Sequence, residues 1–196
     1  KSNMSADVFI TGMGIVSGIG NNVPETLESL KAMRSGIGKI KYLNTIHDLP
    51  CAEVQYSEAE MKQLLNLPAD AVITRTTLMA IVAVKEAVQN ANLPLDGRYR
   101  VAYINGTTVG GMEKSEVYYF DFLANDKYNE YIEAHDCGSC TERIADYFGG
   151  FSYVSTPSTA CSSAANAIML GASLIKSGMM DAAIVGGTEC ITKFHL

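Results

Sequence analysis

The sequence predicts an α/β fold. Four short runs rich in β-branched and apolar residues, 7–16, 100–105, 151–154 and 182–185, read as strands. Longer segments lie between them, above all 74–91 and 161–175, and these read as helices. Strands alternating with helices are the pattern of a sheet covered by helices. With 196 residues, 47% hydrophobic and 18% charged, the chain suffices for one domain with a sizeable core. Residues 1–196 therefore form one domain, with no internal repeat, low-complexity stretch or linker.

Residues 7–16 alternate loosely and are rich in β-branched side chains, so a buried strand is expected. The glycines there do not make a G-x-G-x-x-G loop. Ser17 stands where the last glycine should follow Gly12 and Gly14, and Val23 where it should follow Gly18 and Gly20. Tight turns around a packed strand are preferred to nucleotide binding. Asn22 then caps a helix, with Pro24 early and Glu25 three residues on; it runs to about Arg34 and ends at Ser35-Gly36.

Residues 37–72 look irregular apart from a short helix near 57–65. The segment 74–91 is an amphipathic helix that turns Leu78, Ile81, Val82, Ala83, Val84 and Val88 to a core. A loop at 92–97 leads to the strand 100–105. Residues 112–131 mix charge with Tyr118, Tyr119, Phe120 and Phe122, and a helix or excursion covering the core is the preferred reading. Cys137 and Cys140 have C-x-x-C spacing, but no second pair completes four zinc ligands. A redox pair is usually placed at a helix start after a strand, which is not expected here. A helix at 141–148, a turn at Gly149-Gly150 and the strand 182–185 complete the pass.

The stretch around Cys161 carries the chemistry. The strand 151–154 precedes it, and residues 161–175 follow without a single charge. That run is too short to span a membrane. Apolar and small residues around its whole circumference predict a helix buried on all sides, with Gly171 and the alanines admitting a neighbouring backbone. Cys161 thus sits where a strand turns into the first turn of a helix. Unpaired N–H groups and the helix dipole favour a thiolate there. They can also hold an oxyanion that forms on a bound carbonyl. By position alone, a nucleophile and a buried structural cysteine are equally admissible.

Composition narrows the classes. The formal net charge of -6 argues against nucleic-acid binding. No basic start followed by an apolar stretch marks a signal peptide. Five cysteines, an odd and scattered number, fit reduced thiols in the cytoplasm. Lys1-Ser2-Asn3 ahead of Met4 reads as a vector remnant. No metal, cofactor or membrane partner is expected.

Three motifs together resemble a known family. Thr159-Ala160-Cys161-Ser162-Ser163, followed by the apolar helix and by Asp181 to Glu189 with its Gly186-Gly187-Thr188-Glu189 turn, resembles the nucleophile segment of the β-ketoacyl-acyl carrier protein synthases, most closely the elongating type. Val8 to Ser17 resembles that family's first strand and turn, and Arg100 to Gly111 its Gly-rich segment beside the acyl pocket. The resemblance covers essentially the whole chain and implies the N-terminal half of a thiolase-like, layered αβαβα fold with a mixed five-stranded sheet, the C-terminal half being absent.

It also implies a reaction. Cys161 would take an acyl group from an acyl carrier protein, and a malonyl thioester would lose carbon dioxide and condense with it, giving a 3-oxoacyl thioester in fatty-acid or polyketide synthesis. Val109 aligns with the apolar residue that lines the acyl pocket. The resemblance implies a homodimer, with a sheet edge pairing near the strand before the nucleophile; residues 112–131 have a second reading as a dimer contact or part of an acyl tunnel. Its two catalytic histidines and its lysine belong to the other half; His47, His135 and His195 match none of these motifs and read as surface or loop residues. Arg75, Lys62 and Lys127 are the candidates for a carrier-protein patch, on charge alone. The sequence departs from the family at Tyr153 to Pro157, where a Gly-Pro pair is usual, and at Asn105, where an apolar residue is usual. The alternatives are a thiolase, whose nucleophile lies nearer the N-terminus, and a non-catalytic acyl-binding or chain-length partner, which typically lacks the cysteine.

Overall fold

The computed structural model describes residues 7–196. The reading of Lys1-Ser2-Asn3 lies outside those residues. In chain order the elements are α1 (Val23–Lys31), α2 (Glu58–Leu64), α3 (Arg75–Ala91), β1 (Val101–Gly106), α4 (Met112–Asn125), α5 (Asn129–Glu133), α6 (Cys137–Phe148), β2 (Phe151–Ser155), α7 (Ser163–Lys176) and β3 (Ala182–Gly187). Among the described residues the sheet has three strands, all parallel, in the order β2-β1-β3. The α/β class is as expected; a mixed sheet of five strands is not what these residues form.

The fourth expected strand, 7–16, forms no ladder and is half-buried at best. It lies along α3 instead. Met13 N donates to Asn90 Oδ1 (3.1 Å) and Ile15 N to Glu86 Oε2 (2.9 Å). The approach is close: a Cβ on Gly14 would fall 1.9 Å from the Ala83 carbonyl oxygen. β-Branched composition favours extended backbone, but a strand also needs a neighbour to take its N–H and C=O groups.

β1 is the middle strand and is buried at every position. A parallel strand covered on both faces reads as a continuous apolar run, as Val101 to Ile104 does. Ala102 and Ile104 pack against Ala167 and Leu174 of α7. Tyr103, pointing the other way, joins Leu78 and Ile81 of α3 and Cys140 and Ile144 of α6. The sheet therefore has α7 on one face and α3 with α6 on the other. Asn105 shares Tyr103's face, where its Nδ2 meets Thr141 Oγ1 of α6 at 3.4 Å, so a polar residue at this usually apolar place has a partner.

The helix starts follow their caps. Asn22 Oδ1 accepts from Glu25 N at 2.8 Å, although α1 stops at Lys31, short of Arg34, and Met33 beyond it is left-handed (φ 51°). Ser57 and Glu60 close a reciprocal capping box on α2. Thr74 caps α3, where Leu78, Ile81 and Val82 are buried but Ala83, Val84 and Val88 only half so. Thr76 and Thr77 are buried too, so the first half of α3 is enclosed on all sides and only its second half is amphipathic. Asp136 caps α6 through Ser139 N (2.9 Å), which starts that helix at Cys137 rather than at 141.

Two expectations need correction. α4 does not cover the core: none of its residues is buried, and Phe120 is 80% exposed. Its tyrosine packs locally, Tyr118 stacking on Tyr128 and Tyr131 with ring centroids 4.3 and 5.0 Å apart. α7 is not buried on all sides either. It buries Ser163, Ala167, Gly171 and Leu174, one stripe at helical spacing, while Ile168 and Met169 are exposed. The sheet supplies one wall, and the described residues supply no second. Among these residues, no helix is long and apolar enough to cross a membrane.

Candidate functional site

After β2 the chain runs through Pro157 to Thr159, and a short 3-10 turn, Ala160–Ser162, leads into α7. Cys161 is the middle residue of that turn and the one exposed cysteine of five. Ala160, just before it, is left-handed (φ 53°). An L-residue with a Cβ adopts that conformation at a cost of about 1–2 kcal/mol, so its surroundings must hold it.

They do so with hydroxyl groups. Ser163 Oγ accepts from Thr159 N and donates to the Ala160 carbonyl oxygen, both at 2.8 Å. Ser162 Oγ donates to the Thr159 carbonyl oxygen at 2.7 Å. Asn166 Nδ2, one turn further along α7, donates to Thr159 Oγ1 at 2.7 Å. The turn that carries Cys161 is thereby tied to the first turns of α7, whose N–H groups and dipole act on the same spot.

Small residues let that helix start sit directly on the sheet. A Cβ on Gly106, at the end of β1, would lie 2.5 Å from Ser163 C and 2.6 Å from Ala164 N. On Gly187, at the end of β3, it would lie 2.8 Å from Ala164 Cβ. Any side chain there would push Cys161 off its seat.

The loop after β1 closes the other side. Thr108 Oγ1 donates to the Ala160 carbonyl oxygen at 3.3 Å. Thr108 N donates to Glu189 Oε1, and Val109 N to Glu189 Oε2 at 3.4 Å. Val109 itself is only 3% exposed. A cleft of about 330 Å3 lies nearby, lined by Val54, Arg75, Met79, Glu189, Ile191 and His195 among others, and neither Val109 nor Cys161 lines it.

The other candidates fall elsewhere. Cys140 and Cys190 are buried, and burial pushes both thiols up to about 12, so they remain protonated and inert at neutral pH. The C-x-x-C pair does start a helix, but α6 follows α5 rather than a strand, and one of its two thiols is the buried Cys140. Cys137 is half-buried, its Sγ 3.8 Å from Ser158 Oγ. Among the described residues, no group of three His, Cys, Asp or Glu could hold a metal ion. His47 is exposed, His135 Nδ1 meets Ser115 Oγ (2.9 Å), and His195 Nδ1 accepts from Thr192 N (3.1 Å). Arg75 is no surface cation: it is 8% exposed, its Nη2 donates to the Val54 carbonyl oxygen (2.9 Å) and its guanidinium lies over the Tyr42 ring. Lys62 is half-buried with Nζ on the Ala69 carbonyl oxygen (2.9 Å), and Lys127 is exposed.

Sequence reasoning singled out Cys161 and Val109 but assigned no task to Ala160, Ser163, Asn166, Thr108 or Glu189. Glu189 ends a motif that was visible; its contact lies 81 residues away, beyond any local pattern.

Known proteins resemble this chain in sequence and fold. A family model described as "Beta-ketoacyl synthase, N-terminal domain" matches residues 5–195. The chain is 27% identical over 187 residues to the 3-oxoacyl-[acyl-carrier-protein] synthase 2 of Staphylococcus aureus (strain N315), covering 93% of this chain and 45% of that protein. It is also 27% identical to Nodulation protein E of Rhizobium sp. (strain N33), covering 97% of this chain and 50% of that one. The solved structure of the ishigamide ketosynthase/chain length factor superposes with a TM-score of 0.81 at 26% identity, covering 95% of this chain and 48% of that chain. The chain spans about half the length of the curated relatives it matches.

Proposed function

The chain belongs to the β-ketoacyl synthase family, by its N-terminal domain, and on that premise we propose that Cys161 is the nucleophile of a 3-oxoacyl-[acyl-carrier-protein] synthase. One observation carries this reading: the exposed cysteine is held in a braced turn between β2 and the start of α7. The Cys161 thiolate attacks the carbonyl carbon of an acyl thioester on a carrier protein. A new C–S bond forms, the carrier's C–S bond breaks, and the carrier leaves as its thiol after taking up the proton lost by Cys161. First-turn N–H groups stabilise the oxyanion between the two states. A malonyl thioester then loses carbon dioxide, and its carbanion displaces Cys161 from the acyl carbon to give a 3-oxoacyl thioester.

The finer parts belong to the same reading. Residues 1–196 are one domain, the N-terminal half of a two-half, thiolase-like enzyme. The paired histidines, the lysine and the second oxyanion donor come from the other half. The uncovered face of α7, with Ile168 and Met169, and the exposed aromatics of α4 support a homodimer, since exposed apolar faces drive association. Val109 borders the acyl pocket, and its β-branch limits chain depth. The partners are an acyl carrier protein and acyl and malonyl thioesters. Unpaired thiols support a cytoplasmic setting.

The test separates acyl transfer from turnover. After incubation with butanoyl thioester, intact mass is expected to show one acyl group, mapped to Cys161 and lost in Cys161→Ser. Brief iodoacetamide treatment is expected to label Cys161 ahead of Cys51, Cys137, Cys140 and Cys190. Malonyl and acyl thioesters together should give no 3-oxoacyl product with this chain alone. Equal labelling of all five cysteines would defeat the nucleophile, and clear product would defeat the two-half division.

A further inference from the structure

We propose that Glu189 is a positioning residue for Cys161, acting through Thr108; the proposal rests on the reading of Cys161 as the nucleophile. β1 and β3 pair in register up to Gly106 and Gly187. One more rung follows, Thr188 N to the Gly106 carbonyl oxygen at 3.1 Å. Beyond it, two N–H groups of the β1 side, Thr108 and Val109, meet the Glu189 carboxylate. One side chain extends the ladder by two donors.

Glu189 makes these bonds as a carboxylate without a countercharge: among the described residues no Lys, Arg or His forms an ion pair with it. Hydrogen bonds to an ionised acceptor are about twice as strong as neutral ones. The Thr108 they fix carries the effect onward, because its Oγ1 donates to the Ala160 carbonyl oxygen. Ser163 donates to that same oxygen from the opposite side. The carbonyl of the left-handed residue that precedes Cys161 is thus clamped between α7 and the β1 loop. Release of the Thr108 side lets the Ala160–Cys161 peptide rotate toward an ordinary conformation, and Sγ leaves its place over the start of α7. The path is short and made of single contacts: Glu189 to Thr108, Thr108 to Ala160, Ala160 to Cys161.

A merely structural role predicts something different. Loss of Glu189 would then loosen the sheet, and the buried thiols would become accessible along with everything else. The experiment therefore follows all five cysteines of the chain by peptide mapping during timed iodoacetamide alkylation. It compares wild type with Glu189→Gln, which keeps one carbonyl acceptor and turns the other into a donor facing a donor. Thr108→Val removes the hydroxyl alone, and Thr108→Ser restores it. Cys161 alkylation is expected to slow about fivefold in Glu189→Gln and in Thr108→Val, the loss that one hydrogen bond implies. It should return to the wild-type rate in Thr108→Ser, while Cys140 and Cys190 stay protected throughout. An unchanged Cys161 rate in both Glu189→Gln and Thr108→Val overturns the proposal. So does faster labelling of Cys140 and Cys190 in step with any change at Cys161. Acylation of the wild type by butanoyl thioester is read in parallel: its absence counts against the nucleophile reading, whereas the alkylation rates decide the part played by Glu189.

Discussion

The two ends of the β1–β3 pair are both closed by a carboxylate, and they are closed differently. At the entry end Asp181 Oδ2 accepts from Arg100 N (2.8 Å), and Arg100 Nη2 donates to Asp181 Oδ1 (2.6 Å). Asp181 N returns a bond to the Arg100 carbonyl oxygen at 2.9 Å. At the exit end Glu189 accepts from two backbone N–H groups and pairs with no cation among the described residues. The entry end is a neutralised, solvent-facing clamp. The exit end places a carboxylate that forms no ion pair among the described residues behind the loop that touches the Cys161 turn. A closure that only has to hold strands together can be neutralised by its own side chains; the one beside the cysteine keeps its charge for the backbone.

The sharpest way to break the contrast is steric. Gly106→Ala adds a Cβ 2.5 Å from Ser163 backbone, where nothing flexible can yield. Destabilisation of about 3 kcal/mol is expected from such overpacking, read as a lower midpoint in urea. A midpoint equal to wild type would mean that α7 does not sit on β1 as described.

A smaller difference should appear at alkaline pH. Cys190 follows Glu189 at the exit end, and burial raises its thiol, like that of Cys140, to about 12. Both thiols bind their protons more tightly when folded, so the stability they contribute is complete below the ordinary value of 9.0 and falls as pH rises toward about 12. Thermal midpoints should drop across that window, and Cys190→Ala should lessen the drop. A flat profile from neutral to strongly alkaline pH would contradict the burial of these thiols.

The smallest effect belongs to the entry end. The Arg100 guanidinium and backbone N–H hold Asp181 down from 3.8 to about 2. That contribution is present above the ordinary value and is lost as pH falls through it toward about 2. The pair is exposed, so Asp181→Asn should only flatten the acid limb of the melting profile slightly. An acid limb as steep in Asp181→Asn as in wild type would remove the pair from the account. The entry-end pair is thus expected to weaken in acid and the buried thiols in alkali.

Much of this was legible in residue order. Asn22 announces its helix because a cap acts on backbone three residues away, within the reach of a local pattern. The strand expected at 100–105 is β1, because a β-branched and apolar run is a local signal. The strand expected at 7–16 failed because extended backbone is a local preference whereas a ladder needs a distant partner. The α7 expectation failed for a related reason: alanine and glycine permit close packing on every side but do not say how many sides are filled. Cys161 could be placed by its strand and helix, while Thr108 and Glu189 could not, since their contacts join segments 52 and 81 residues apart.

The central position of β1 has a temporal consequence. Its two neighbours come later in the chain, Phe151 pairing with Val101 and Ala182 with the same residue. A growing chain that has just made β1 holds its most buried strand with both edges open. One edge closes only after α6 is complete, and the other must wait for nearly the last residues of the domain. Closing loops of that length before any reward is slow. From its own synthesis until β3 arrives, then, the segment 101–106 keeps at least one unpaired, sticky edge. Domains built this way are the ones expected to lean on chaperones, and to aggregate when they are overproduced faster than those last strands arrive.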